Sequence, residues 1–96
     1  MSESSGKGAR ARADYVGRIH RVQDHIEGHL DRPLPLEELA RVAHFSPYHF
    51  HRIFGAMVGE SVHRFIRRLR LEKAAARLVM EPETSVTEIA LDSGFG

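Results

Sequence analysis

The sequence predicts an all-α fold: a helix-turn-helix (homeodomain-like) subdomain, a long connecting helix, and an incomplete second helix-turn-helix. Three observations predict it. Apolar residues recur at three- and four-residue steps along most of the chain, and no segment alternates apolar and polar residues as a half-buried strand does. Proline and glycine punctuate those stripes at Pro33, Pro35, Pro47, Gly59, Pro82 and Gly94, where helices are expected to stop or start. Finally, a stretch in the first half returns fifty residues later. With 96 residues, there is room for one small domain or two very small subdomains.

The first residues, Met1 to Arg12, are Ser, Gly, Ala and charge without apolar periodicity, so residues 1–13 are expected to be a disordered tail. From Asp14 onward Val16, Ile19, Val22, Ile26 and Leu30 form one stripe of an amphipathic helix. The segment Asp31-Arg-Pro-Leu-Pro ends it, because a proline disfavours helical geometry in the residue before it. Leu36, Leu39, Ala40 and Ala43 make a short second helix. Ser46-Pro47 then starts a third: the serine can cap free backbone N–H groups, and proline suits the first helical position. Phe50, Ile53, Phe54 and Met57 are its expected core face, and it ends near Gly59, so that residues 14–60 form the first helix-turn-helix subdomain.

A fourth helix runs from about Ser61 to Met80 and is stopped by Glu81-Pro82, which makes residues 61–81 a connecting helix. Its apolar pattern changes sides. At about 100° per residue, Val62, Phe65, Ile66 and Leu69 lie on one face, while Leu71, Ala74, Ala75 and Leu78 lie almost opposite. A helix on one core keeps one stripe, so a switch of sides predicts a connector between two small cores. Full burial is the alternative, and Arg64, Arg67, Arg68 and Arg70 argue against it. A fifth helix is expected from about Ser85, through Val86, Ile89 and Ala90, to Gly94.

The repeat lays Pro35-Leu-Glu-Glu-Leu-Ala-Arg-Val-Ala-His-Phe-Ser46 over Ser85-Val-Thr-Glu-Ile-Ala-Leu-Asp-Ser-Gly-Phe-Gly96. Glu38, Ala40 and Phe45 match Glu88, Ala90 and Phe95, and Leu36 and Leu39 match Val86 and Ile89 in kind. Gly94 suits a positive-φ turn; His44 holds that position in the first copy, which is allowed but less favourable. Residues 82–96 thus read as a truncated second subdomain, and the chain as a fragment.

Composition bounds function. Hydrophobic residues make up 42% and charged residues 28%, as in ordinary globular chains. The absence of cysteine excludes a disulfide scaffold, thiolate zinc fingers and cysteine nucleophiles. Apolar runs are too short to span a membrane, and the N-terminus lacks the apolar core of a signal peptide, so a cytoplasmic protein without a membrane partner is expected. The net charge of +1 conceals an uneven distribution. From Arg41 to Met80 eight bases stand against two acids; from Glu81 to Gly96 there are four acids and no base.

The third helix turns Tyr48, His51, Arg52 and Gly55 away from its core face, with His49 at the edge. An aromatic ring, imidazoles and a guanidinium without an acid suit a major groove, where Arg reads guanine through a bidentate contact. Arg41, Arg64, Arg67 and Arg68 could hold phosphates, which supply affinity rather than sequence. The competing reading is an ordinary solvated face. Seven histidines raise a metal site, with His25 and His29 one turn apart, but a full site needs about four ligands; neither a metal nor a cofactor is expected. With no glycine-rich phosphate loop or activated nucleophile, an enzyme is not expected either. The alternative to DNA recognition is a helical protein-interaction or anionic-surface-binding module using the basic helix 61–80.

Leu36-Glu-Glu-Leu-Ala-Arg-Val-Ala, Ser46-Pro-Tyr-His-Phe-His-Arg-Ile-Phe54, Gly59-Glu-Ser, Arg67 to Leu71 and Ile89-Ala-Leu-Asp-Ser-Gly-Phe95 resemble the AraC/XylS family of bacterial transcription regulators. The resemblance covers Asp14 to Gly96. It implies two helix-turn-helix subdomains joined by a long helix, with recognition helices entering successive major-groove segments of double-stranded DNA. By position, Tyr48, His51 and Arg52 would face bases, and Ser46, Arg64 and Arg67 would approach phosphates. It further implies RNA polymerase as a candidate partner, and a small-molecule effector bound by a domain outside this chain. Ile26-Glu-Gly-His-Leu-Asp-Arg-Pro-Leu34 is similar to members in which a GyrI-like effector domain follows the DNA-binding region. The second recognition helix is missing from these residues, so they are not expected to hold an operator tightly alone.

Overall fold

Stripes of apolar residues three and four apart become helices wherever a neighbouring helix covers them, and that rule accounts for most of the architecture. The computed structural model describes residues 2–80 and 86–92, with side chains described over 10–80 and 87–91. In chain order the described helices are α1 (Ser2–Glu27), α2 (Leu36–Val42), α3 (Pro47–Val58), α4 (Val62–Met80) and α5 (Val86–Asp92), and no strand occurs among the described residues. The fold is all-α, as expected.

Ile19, Val22 and Ile26 of α1, Leu39 and Ala40 of α2, Phe50 and Phe54 of α3, and Val62, Phe65 and Ile66 of α4 share one core, closed by Leu30, Leu34 and Ala43 from the connections. Phe54 is its centre. It is fully buried, with its ring 5.7 Å from Phe50 and 5.4 Å, edge-on, from Phe65. Burying one such side chain contributes roughly 1.5–3 kcal/mol. α2 packs against both α1 and α3, α4 against α3, and α5 against α4.

Three expectations change. Helical backbone extends back to Ser2, where a disordered tail over 1–13 was expected. Ala9, Arg10, Ala11, Arg12 and Ala13 are strong helix formers, and lengthening an existing helix is far cheaper than starting one. Residues 10–17 are nevertheless all exposed, so this described part of the helix adds nothing to the core. At its other end α1 stops at Glu27, before Leu30. Leu30 is buried from the following turn rather than from the helix stripe. On α3, Met57 is 39% exposed instead of buried and lies in an open groove with Val16, Ile19, His20, Gln23 and Val58. The α3 core face is narrower than its four apolar residues suggest: Phe50 and Phe54 are sealed, and Ile53 is half-buried.

The change of sides along α4 is visible in its neighbours. Val62, Phe65 and Ile66 are buried in the main core, and α4 also packs against α5, whose Ile89 is fully buried. Leu71 and Leu78 stay partly exposed on that second face. The expected start of the fifth helix at Ser85 and its end at Gly94 lie outside the described residues, as does Phe95.

Candidate nucleic-acid interface

The turn between α2 and α3 is built by a Schellman cap. With Ala43 as the C-cap of α2, the His44 N–H donates to the Arg41 carbonyl at 3.0 Å and the Phe45 N–H to the Ala40 carbonyl at 2.9 Å. This geometry needs a left-handed residue at the position after the cap, and His44 supplies it with φ 58°. Phe45, the residue that follows, is the half-buried apolar partner such caps take. Ser46 then opens α3 in extended geometry, its hydroxyl accepting from the His49 N–H at 3.3 Å, with Pro47 at the first helical position. Gly59 at φ 89° ends α3.

With Phe50 and Phe54 fixing its inner face, α3 presents Tyr48, His49, His51 and Arg52 to the exterior. Tyr48 is 67% exposed, an unusual position for a large aromatic side chain. The Arg52 guanidinium lies 5.7 Å from the Tyr48 ring, and its Nη1 donates to the Tyr48 hydroxyl at 3.3 Å. Stacking across one helical turn holds both side chains side by side on the same face. At Gly55 an added Cβ would meet nothing within 4 Å, so the middle of that face is open to a close surface.

The arginines of α4 divide by partner. Arg68 is taken by acids: its Nε and Nη2 donate to Glu60 at 3.2 and 2.7 Å, and its Nη1 to Glu72 at 3.1 Å. Hydrogen bonding to Arg68 holds the Glu60 carboxyl below its usual range. Arg68 is therefore not a ready phosphate ligand, contrary to the simple counting of bases. Arg70 is half-buried and donates to the Leu30 carbonyl at 3.2 Å and the Arg32 carbonyl at 2.8 Å, tying α4 to the α1–α2 connection. Arg64 and Arg67 are exposed and in no ion pair among the described residues. They line an open groove with Ser61, whose hydroxyl accepts from the Arg64 N–H at 3.1 Å, and with His63.

Sequence reading missed His63. It stands four residues before Arg67 and seven before Arg70, a spacing that places all three along one side of a helix. It also missed Glu38, which reads as a solvated acid near the start of α2. Instead the carboxylate takes both Nη groups of Arg32, at 3.0 and 2.6 Å, and the Nε2 of His25 at 2.6 Å. Those hydrogen bonds, that from Arg32 foremost, lower its pKa from 4.5 to about 2. His29 stacks on His25 at 4.2 Å, and His25, through Glu38, ties α1 to α2. Among the described residues no three His, Asp or Glu side chains group as metal ligands. Nor is any described helix long and apolar enough to cross a membrane.

Two helices joined through a left-handed turn, the second with a buried phenylalanine face and an exposed cationic one, define a helix-turn-helix unit. Comparison with known proteins agrees: the family described as "Helix-turn-helix domain" matches residues 39–96. The chain belongs to the AraC-type helix-turn-helix family of transcription regulators. It is 37% identical over 84 residues to the Right origin-binding protein of Escherichia coli K12, covering 85% of this chain and 28% of that protein. The Transcriptional regulator Rob of Salmonella typhimurium gives the same figures, 37% over 84 residues, 85% and 28%. The HTH-type transcriptional regulator YbfP of Bacillus subtilis is 39% identical over 77 residues, 80% of this chain and 26% of that protein. The chain thus spans about a quarter of the length of these relatives.

Proposed function

We propose that this chain is the leading part of the DNA-binding region of a transcription regulator, and that α3 reads base edges in the major groove of double-stranded DNA. The observation that carries the reading is the exterior of α3, where Tyr48, His51 and Arg52 are exposed on a face without an acid. Tyr48, His51 and Arg52 contact bases. Ser46 at the start of α3, with Arg64 and Arg67 on α4, contacts phosphates. The exposure of Arg64 and Arg67, neither of them in an ion pair among the described residues, supports that assignment. Residues 14–60 form the first reading unit, 61–81 the connecting helix, and 82–96 the start of a second unit.

The full-length regulator is cytoplasmic and non-catalytic, with RNA polymerase as a partner and an effector-binding domain, GyrI-like by resemblance, after the DNA-binding region. The polymerase partner and the effector follow from the family, and the GyrI-like domain from the resemblance of residues Ile26 to Leu34.

The test uses a duplex selected from a random library by the full-length protein. Arg52→Ala should cost ~1–3 kcal/mol on the selected duplex and relax discrimination at one base pair, leaving random DNA unaffected. Arg67→Ala should weaken both duplexes alike and flatten the salt dependence by about 0.9 in log–log slope. Unchanged affinity and base preference in Arg52→Ala would remove α3 as the reading element. Retention of the protein on anionic vesicles but not on DNA would favour an anionic-surface module instead.

A further inference from the structure

The α2–α3 turn is held from outside by α1. Arg18 donates from Nη1 to the His44 carbonyl at 3.0 Å, the residue whose backbone is in the left-handed region at φ 58°. The same guanidinium lies 4.9 Å from the Phe45 ring centre and 5.8 Å from that of Tyr15. Tyr15 in turn meets Phe45 edge-on at 5.2 Å. Asp14, one turn earlier on α1, pairs with Arg18 Nη2 at 2.9 Å and fixes the side chain's direction.

Two consecutive turn residues, one by its carbonyl and one by its ring, are thus gripped by one side chain. Nothing in the core requires this. Phe45 is only half-buried, and Tyr15 is 38% exposed, so the assembly sits at the surface where its contribution to burial is small. What it controls is direction. Ser46 and Pro47 follow Phe45 directly, and Tyr48 is the next residue, so the backbone orientation at His44 and Phe45 sets how α3 leaves the turn. A bidentate contact to a base edge tolerates little displacement, and small errors of placement are costly for any constellation that must meet a partner in fixed geometry.

We infer that Arg18 is a positioning residue for DNA recognition: from α1 it clamps the α2–α3 turn and so fixes the pose at which α3 offers Tyr48, His51 and Arg52. The inference rests on α3 being the reading element. Arg18 does not touch the DNA. Its effect is on the difference between the right duplex and any other.

Arg18→Met keeps a side chain of similar length against Phe45 and Tyr15 but removes the fork and its charge; Arg18→Lys keeps the charge without the planar stack. In the full-length protein, Arg18→Met should bind the selected duplex roughly tenfold more weakly, with random-duplex affinity within about twofold and an unchanged salt slope. Arg18→Lys should fall between it and the parent. Parallel loss on both duplexes with a flatter salt slope would make Arg18 a phosphate ligand and overturn the inference; so would no change on either. Melting curves establish that each variant is folded at the assay temperature, and Arg18→Lys decides if Arg18→Met is not. Hydrogen exchange at the Phe45 amide, which donates to the Ala40 carbonyl, should accelerate in both variants. Unchanged exchange there refutes the clamp even if the parent protein prefers no duplex, an outcome that by itself would count against α3 as the reader.

Discussion

Replacing His44 by glycine should stabilise the protein, although it deletes a side chain. His44 occupies the left-handed region at φ 58° and is exposed at the turn. For an L-residue that conformation costs roughly 1–2 kcal/mol, from the clash of Cβ with its own backbone. Glycine does not pay this, but its greater freedom in the unfolded chain costs about 0.5–1 kcal/mol. The difference favours His44→Gly by about 0.5–1 kcal/mol. For a domain of this size, that corresponds to a rise of roughly 2–8 °C in midpoint. The carbonyl that accepts from Arg18 and the amide that donates to Arg41 are both retained, so the cap itself is untouched. His44→Ala is the control. It keeps the Cβ and the strain, and should lie within about 0.5 kcal/mol of the parent. The same physics runs backwards at Gly59, where φ is 89° and an added Cβ would meet nothing within 4 Å. Gly59→Ala should therefore lose about 1 kcal/mol from backbone strain alone, without any steric contribution. Urea midpoints on the three variants measure all of this. Midpoints below the parent for both His44→Gly and His44→Ala would show that the imidazole, and not the backbone, decides this position, and a lower midpoint for His44→Gly than for His44→Ala would refute the strain argument.

Two other substitutions follow from side chains that bridge elements. The folded Glu38 carboxyl titrates at about 2 against an ordinary value of 4.5, so its bonds to Arg32 and His25 contribute in full above pH of about 4.5 and are lost as the pH falls toward about 2. Urea midpoints of parent and Glu38→Gln should differ at neutral pH and converge on acidification; a constant gap would refute the linkage. Arg70→Met should uncover the Leu30 and Arg32 carbonyls, cost ~1–3 kcal/mol, and raise hydrogen exchange in the α1–α2 connection more than in α3. Equal acceleration in both segments would mean that Arg70 supports only global stability.

The parts of the fold that were legible in the sequence are those specified locally. α3 begins at Pro47 and ends at Val58 because Ser46 caps it, Pro47 is preorganised for its first turn, and Gly59 can take the left-handed exit. Positive φ at His44 was legible from the repeat alone, through Gly94 in the matching place. What could not be read is pairing across elements. Periodicity puts Leu30 on the α1 stripe, but it does not know that the chain can leave the helix at Glu27 and bury the same leucine from a turn. It assigns Met57 to the core because a helix wheel cannot tell how wide a neighbour's covering face is. Glu38 looks like an ordinary first-turn acid until Arg32 and His25, thirteen and fewer residues away in sequence, converge on it. The exposed set on α3 was legible because it is the complement of the phenylalanine face, and that face is set by sequence spacing.

Charge shows the same division with a functional consequence. Counted along the chain, Arg41 to Met80 is a block of eight bases and two acids, which suggests a uniform cationic surface. The structure sorts that block by task. Both acids form their ion pairs with Arg68, which is held between Glu60 and Glu72, and the charge of Arg64 also acts on Glu60. Arg70 turns to backbone carbonyls and fastens α4 to the connection before α2. Arg52 lies on Tyr48, where it is oriented without being neutralised, because a ring and a hydroxyl carry no opposing charge. Arg64 and Arg67 remain as exposed cations on the side of α4 turned away from Val62, Phe65 and Ile66. A net charge of +1 is therefore compatible with a strongly polar surface. The acids are placed against the arginines that hold the fold together, and the cations left over are the ones a phosphate backbone could reach.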